Sequence, residues 1–178
     1  SIDFWLRYLE PVSYKKINGA LPVEWEFELN EKPKKKEGAG LTLAALYLEE
    51  DHLSKDSLLN LIRSSQKALK IYNSKVITGE LQTPDHFYYC NRLYLLNLAA
   101  VYTTGFECPD TGKIITELRS MLSDVNSIYR SFNASFPETK LDDDFLTLYN
   151  NAVSFAESQP EYYSKFDHYA FIKEYVNP

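Results

Sequence analysis

The chain is poor in the residues from which catalytic and redox centres are built. Its 178 residues include two cysteines, three histidines and one methionine. There is no C-x-x-C-H for covalent haem, no paired C-x-x-C for zinc, no H-E-x-x-H, no Walker loop and no G-x-S-x-G turn. The chain is therefore expected to carry no catalytic, cofactor-binding or metal site of its own. Positive charge is also short. Nineteen Lys and Arg against 25 Asp and Glu leave a net charge of −6, whereas nucleic-acid binding needs a surplus of cations on one face. No apolar run approaches the ~20 residues that span a bilayer, and the N-terminus lacks the basic-then-apolar order of a signal peptide. A soluble chain with neither a membrane span nor a nucleic-acid partner is the expectation.

The cysteines do not suggest a disulfide. Cys90 lies in a helical pattern that runs to about Thr104, and those ~14 residues span about 21 Å. The few residues from Gly105 to Cys108 return at most ~3.5 Å each, too little to bring the Cα atoms within the ~7 Å a bridge requires. Both side chains are expected to remain thiols.

Hydrophobic residues make up 44% and charged residues 25%, which is the balance of a folded chain and not of a disordered one. The aromatic share is 15%, with 14 Tyr and 10 Phe, so large rings must supply much of the core. The length is that of one domain, spanning residues 1–178.

Helical periodicity recurs along the sequence. Leu58, Ile62, Ser65, Leu69, Tyr72 and Val76 fall at alternating steps of three and four from a start near Ser54, with Lys67 and Lys70 opposite. Thr83-Pro84-Asp85 reads as a helix start, with a hydroxyl cap, a proline at the first position and an acid facing the dipole. The stretch from Phe87 through Leu93, Leu95, Leu96, Leu98 and Val101 shows little polar face, which predicts the most buried helix. Ile114, Leu118, Met121, Val125, Ile128 and Phe132 form the cleanest stripe, entered after Pro109-Asp110 and left before Pro137. Leu141, Phe145, Leu148, Ala152 and Phe155 mark a further helix, capped by Thr139 and closed by Pro160. Phe166, Tyr169, Ile172 and Val176 mark the last.

One segment departs from this pattern. Val23, Trp25, Phe27 and Leu29 alternate with Glu24, Glu26 and Glu28, and period two signals a strand. A lone strand has no partner in a helical chain, so residues 21–36 are expected to form an extended arm laying apolar side chains on the bundle. The fold class predicted is an all-α, up-and-down helical bundle with that one arm.

Candidate chemistry is sparse. His52, His86 and His168 form no ligand set at helical spacing, which favours helix-end or core roles. Asp142-Asp143-Asp144 has the carboxylates of a hard-cation site, yet acids belong in a first helical turn without any ion. Lys34-Lys35-Lys36 would suit an acidic partner, but a short charge run in a loop is ordinarily solvated. Tyr88, Tyr89 and Tyr94 are the types that relay oxidising equivalents, though their place in an apolar helix favours packing.

Four stretches together resemble the helical N-terminal region of a branch of bacterial di-haem cytochrome c peroxidases. They are Lys16-Ile17-Asn18-Gly19-Ala20-Leu21-Pro22, Glu37-Gly38-Ala39-Gly40-Leu41, Thr103-Thr104-Gly105-Phe106-Glu107-Cys108-Pro109, and Phe166-Asp167-His168-Tyr169-Ala170-Phe171-Ile172 running into Asn177-Pro178. The resemblance implies a haem-free N-terminal region of a longer, periplasmic oxidoreductase. It also implies that the two c-type haems and the peroxide site lie in C-terminal di-haem domains, and that small cytochromes donate the electrons. Those di-haem domains, or a second copy in a homo-dimer, are the implied partners, and this chain's implied role is non-catalytic docking.

The chain is also distantly similar to imelysin-like proteins, which implies as an alternative a module binding iron or a small ligand. Their G-x-H-x-x-E motif, placed on Gly40, has Thr42 for the histidine and Ala45 for the glutamate. The imidazole and carboxylate that would hold a metal are both missing.

Overall fold

Proline and the small polar residues punctuate this chain, and between them most of the described residues turn into helix. The computed structural model describes residues 2–19, 23–25, 34–36, 38–49, 54–104 and 111–178. The fold is all-α. Its contacts group into two compact units, Ile2–Gln82 and Thr83–Pro178.

In the first unit, α1 (Ile2–Leu9) and α2 (Pro11–Ile17) form a short hairpin, with proline opening α2 where no amide partner is needed. The helix α3 (Gly40–Glu49) packs on α4 (Lys55–Leu69), and α4 also packs on α2. The start of α4 falls where the sequence places it, and Ser54 caps it, its Oγ accepting from the Ser57 amide at 3.4 Å. The helix stops earlier than its apolar pattern. A 3-10 turn at Lys70–Asn73 and a second cap at Ser74 restart the chain as α5 (Lys75–Leu81). That break rotates the register, so Val76 points out, 66% exposed, and Ile77 enters the core instead. Leu6, Tyr14, Ile17 and Ile77 form the core, with Ala68, Ile71, Tyr72 and Leu81 against them.

The expected lone strand has a partner. The strand β1 (Val23–Trp25) pairs antiparallel with β2 (Lys34–Lys36), Glu24 standing opposite Lys35. An extended backbone exposes N–H and C=O groups that need acceptors and donors, and folding back on itself supplies them. The other residues of the predicted arm lie outside the described residues.

In the second unit, α6 (Pro84–Asn97) passes into a π-helical turn at Leu98–Tyr102, giving the continuous helical path predicted from Pro84. It is not buried all round. Phe87, Cys90, Asn91, Tyr94 and Leu98 face inward, while Tyr88, Tyr89 and Leu96 are exposed, Leu96 by 60%. The burial is one-sided although the hydrophobicity is not, because one stripe is enough to meet the neighbouring helices.

The longest helix is α7 (Ile114–Ser135). Its buried stripe is Ile115, Leu118, Leu122, Val125, Tyr129 and Phe132, with Met121 and Ile128 half-buried beside it. A turn anchored by Asn133 leads into α8 (Asp143–Ser158): its side chain both donates to the Leu141 carbonyl and accepts from the Leu141 amide. The cap of α8 is Asp142, whose carboxylate accepts from the Phe145 amide at 2.7 Å, rather than Thr139, which ends a 3-10 turn. The helix closes before Pro160, and Arg119 donates to the carbonyls of Ala156 and Gln159 there. The last helix, α9 (His168–Phe171), continues as a π-helical turn at Ile172–Val176. Phe171 faces the core, and Tyr169 of the predicted stripe is 74% exposed.

Candidate functional site

Among the described residues, three polar groupings are the candidates: one junction in each unit and a tyrosine cluster. The first junction is built where α2 ends. Asn18 keeps helical angles and donates its amide to the Tyr14 carbonyl, and Gly19 then turns left-handed at φ +77. A second left-handed glycine, Gly40 at φ +63, opens α3. The two backbones touch: a Cβ on Gly19 would stand 1.6 Å from the Ala39 oxygen, and one on Gly40 would meet the Ile17 oxygen at 2.7 Å. Only glycine fits either place.

Hydroxyls close the helix end. Thr42 donates both its amide, at 2.9 Å, and its Oγ1, at 2.5 Å, to the Asn18 carbonyl. Ser65 Oγ donates to the Lys16 carbonyl at 2.8 Å. Orphan carbonyls at a helix C-terminus need such donors.

Behind them stands Tyr14. Its phenol donates to Asp3 Oδ1 at 2.5 Å and accepts from Arg7 Nη1 at 3.1 Å and Asn18 Nδ2 at 2.9 Å. Burial, then the charge of Asp3 and the hydrogen bond to it, push the Tyr14 phenol well above the ordinary tyrosine range, and Asn18 and Arg7 only partly oppose this. A phenol has one proton and two lone pairs. All three are committed here, so Tyr14 serves as a bracket for the junction and has no capacity left for acid–base work.

The second junction joins the two π-helical turns, which lie in contact. Widening a helix frees carbonyls, and the two threonines after Tyr102 take them up. Thr103 Oγ1 donates to Ala99 at 3.1 Å, and Thr104 Oγ1 to Ala100 at 3.2 Å and Val101 at 2.9 Å. Tyr163 reaches across with a long hydrogen bond, 3.4 Å, to the Thr104 carbonyl. Phe155 packs against Phe166, Phe171 and Tyr175 beneath. Short π-helical turns often mark functional positions.

The tyrosine cluster fills the middle of this unit. Tyr149 donates to the Leu122 carbonyl at 3.2 Å and accepts from Tyr94 at 2.9 Å, while Tyr129 donates to Asn91 Oδ1 at 2.5 Å. Burial, first, and neighbouring tyrosines raise the phenols of Tyr129 and Tyr149 above their usual range. Oxidation of a phenol requires an acceptor for its proton, and amide oxygens and other phenols are weak bases. This geometry favours packing over relay. Tyr88 and Tyr89 of the predicted aromatic run are on the exposed side, Tyr88 donating to the Thr139 carbonyl.

Other sequence candidates are not brought together. His86 Nδ1 lies 2.6 Å from the hydroxyl of Thr83, which stands at the cap position of α6 without bonding a cap amide. His168 Nε2 is 3.0 Å from the Tyr163 carbonyl, its ring against Tyr163 and Phe166. Asp142 to Asp144 cap and open α8, and Lys34 to Lys36 form β2. Cys90 is buried on α6, while His52 and Cys108 lie outside the described residues. Among the described residues no three His, Cys, Asp or Glu converge as a metal group. Thr42, at the imelysin histidine position, is bound into the first junction, and Ala45 is exposed.

Asn91, Tyr129 and Tyr149 were not singled out from the sequence. The available signal was polar atoms recurring on otherwise apolar helical stripes, which in an interior must find one another. The sequence matches no protein-family model, and neither a curated protein nor a solved structure is significantly similar to it.

Proposed function

We propose that this chain is a non-catalytic helical accessory domain that docks to the haem-bearing part of a periplasmic di-haem cytochrome c peroxidase. The observation that carries the reading is the pairing of the four stretches behind the family resemblance. The first meets the second at the Gly19–Gly40 contact; beside the third and fourth, Tyr163, three residues before the fourth, reaches Thr104, and the π-helical turn just before the third touches Ile172–Val176. Gly19 and Gly40, and Thr104 and Tyr163, stand some 20 to 60 positions apart in sequence, each pair within one unit.

No reaction step is assigned to these residues. Cys90 and Cys108 each lack a second cysteine three positions away and a following histidine, so they do not fit a c-type haem. In this reading the two haems and the peroxide chemistry belong to the rest of the polypeptide. The domain contributes a surface buried against the haem domains or a second copy.

The test is to express the full reading frame and, separately, this chain. The longer protein is expected to contain two C-x-x-C-H motifs and to show a Soret band, and the chain alone to be colourless. A reading frame without those motifs, or stoichiometric haem or iron on the chain alone, overturns the proposal.

A further inference from the structure

We infer that Asn18-Gly19 is a self-modification site, a peptide link that deamidates when the first junction opens and is held unreactive while it is closed. It is the one Asn-Gly pair in the sequence. In the reaction the Gly19 backbone nitrogen attacks Asn18 Cγ. A new C–N bond forms, the bond from Cγ to the amide nitrogen breaks, and ammonia leaves with the proton given up by the Gly19 amide. Water then opens the resulting succinimide to aspartate or to isoaspartate, in which the main chain runs through the former side chain. Water is the one co-reactant. A glycine in second place offers no Cβ to obstruct the attack.

The folded geometry blocks each requirement of that attack. Asn18 must leave its helical angles, φ −84 and ψ −42, which turn the Gly19 nitrogen away from Cγ. Its carboxamide must rotate, but Nδ2 is held by Tyr14. Its carbonyl must swing, but it accepts twice from Thr42. The reaction therefore proceeds from the open state, at a rate set by how often the junction opens.

Neither product fits back. Isoaspartate adds a methylene to the main chain beside Gly19, where even a Cβ would collide with Ala39. Aspartate sets a second carboxylate against a phenol whose single proton already goes to Asp3. Each opening that ends in reaction is thus permanent, and the site counts openings of the Ile2–Gln82 unit.

Peptide mapping by mass spectrometry, after incubation of the whole chain at physiological temperature and mildly alkaline pH, tests this. Asn18 is expected to react slowly in buffer and fast in urea. Thr42→Val, which keeps the backbone and removes the hydroxyl, is expected to speed the folded reaction on the order of tenfold, the factor equivalent to about 1.4 kcal/mol. Asn126, which precedes Ser127 inside α7, is the internal control and should not change. Equal rates in buffer and urea overturn the inference, as does an unchanged rate in a Thr42→Val chain whose circular dichroism is native. If that variant does not fold, the ratio between buffer and urea in the unaltered chain decides alone.

Discussion

Tyr14, Tyr129 and Tyr149 carry hydroxyls into the interior, and that burial links stability to alkaline pH. Unfolded, each phenol titrates near 10.0, and folded, each holds its proton to higher pH. Above about pH 10 the unfolded chain then binds fewer protons than the folded one, so the contribution is complete below that pH and is lost progressively above it. Denaturant midpoints should be level up to about pH 9 and fall beyond about pH 10, with a shallower fall in Tyr149→Phe. A decline of the same steepness in that variant would mean Tyr149 is not held protonated. Gly19→Ala is the sharper residue-scale test. Left-handed strain alone costs about 1–2 kcal/mol, and the collision with Ala39 comes on top. The melting midpoint should drop far more than for Gly79→Ala, whose added Cβ meets nothing within 4 Å. That Gly19 meets a second glycine twenty-one positions on follows from the packing of α3 on α2 and from no local pattern.

For the elements, the helices were legible where periodicity was long and punctuation strong. The structure follows Ser54, the start at Thr83-Pro84 and the stripe of α7, because a proline or a capping position acts through neighbours one turn away, although the Thr83 hydroxyl meets His86 and not the cap amide expected of it. It departs from the sequence reading at Thr139, where two competent caps stand three residues apart and the extended angles of Asp142, φ −71 and ψ 164, settle the choice. Asp142→Ala should cost about 0.5–2 kcal/mol in chemical denaturation, and Thr139→Ala less. The reverse order would reinstate Thr139 as the cap. Leu118, 1% exposed at the middle of α7, is expected to cost about 2–5 kcal/mol as Leu118→Ala, through lost transfer energy and the cavity left. A thermal shift no larger than that of exposed Lys67→Ala would show that the stripe does not face the core.

At the scale of the molecule, composition speaks through charge. A net −6 repels phosphate. Gel-shift titrations with duplex DNA at physiological salt should show no retardation, and a shift that weakens with added salt would reverse that reading. No helix among the described residues is long and apolar enough to cross a membrane. The two compact units arise without a linker signal, because Leu81-Gln82-Thr83 joins them with no run of Gly, Ser or charge. A boundary between units is a property of where contacts fall, and composition marks it only when the join is long.

The sequence alone determined the helical class, the starts of α4, α6 and α7, the two acids in the first turn of α8 and the absence of haem-attachment motifs, since each depends on residues within a turn or two of one another. Tertiary structure decided what depends on distance. It chose which face of α6 is buried, moved the core from Val76 to Ile77, supplied β1 with a partner and drew Tyr94, Tyr129 and Tyr149 together. It also closed Gly19 on Gly40 and set Thr42 over Asn18. Periodicity says that a stripe will be covered, but only the packing of the other elements against it says by what.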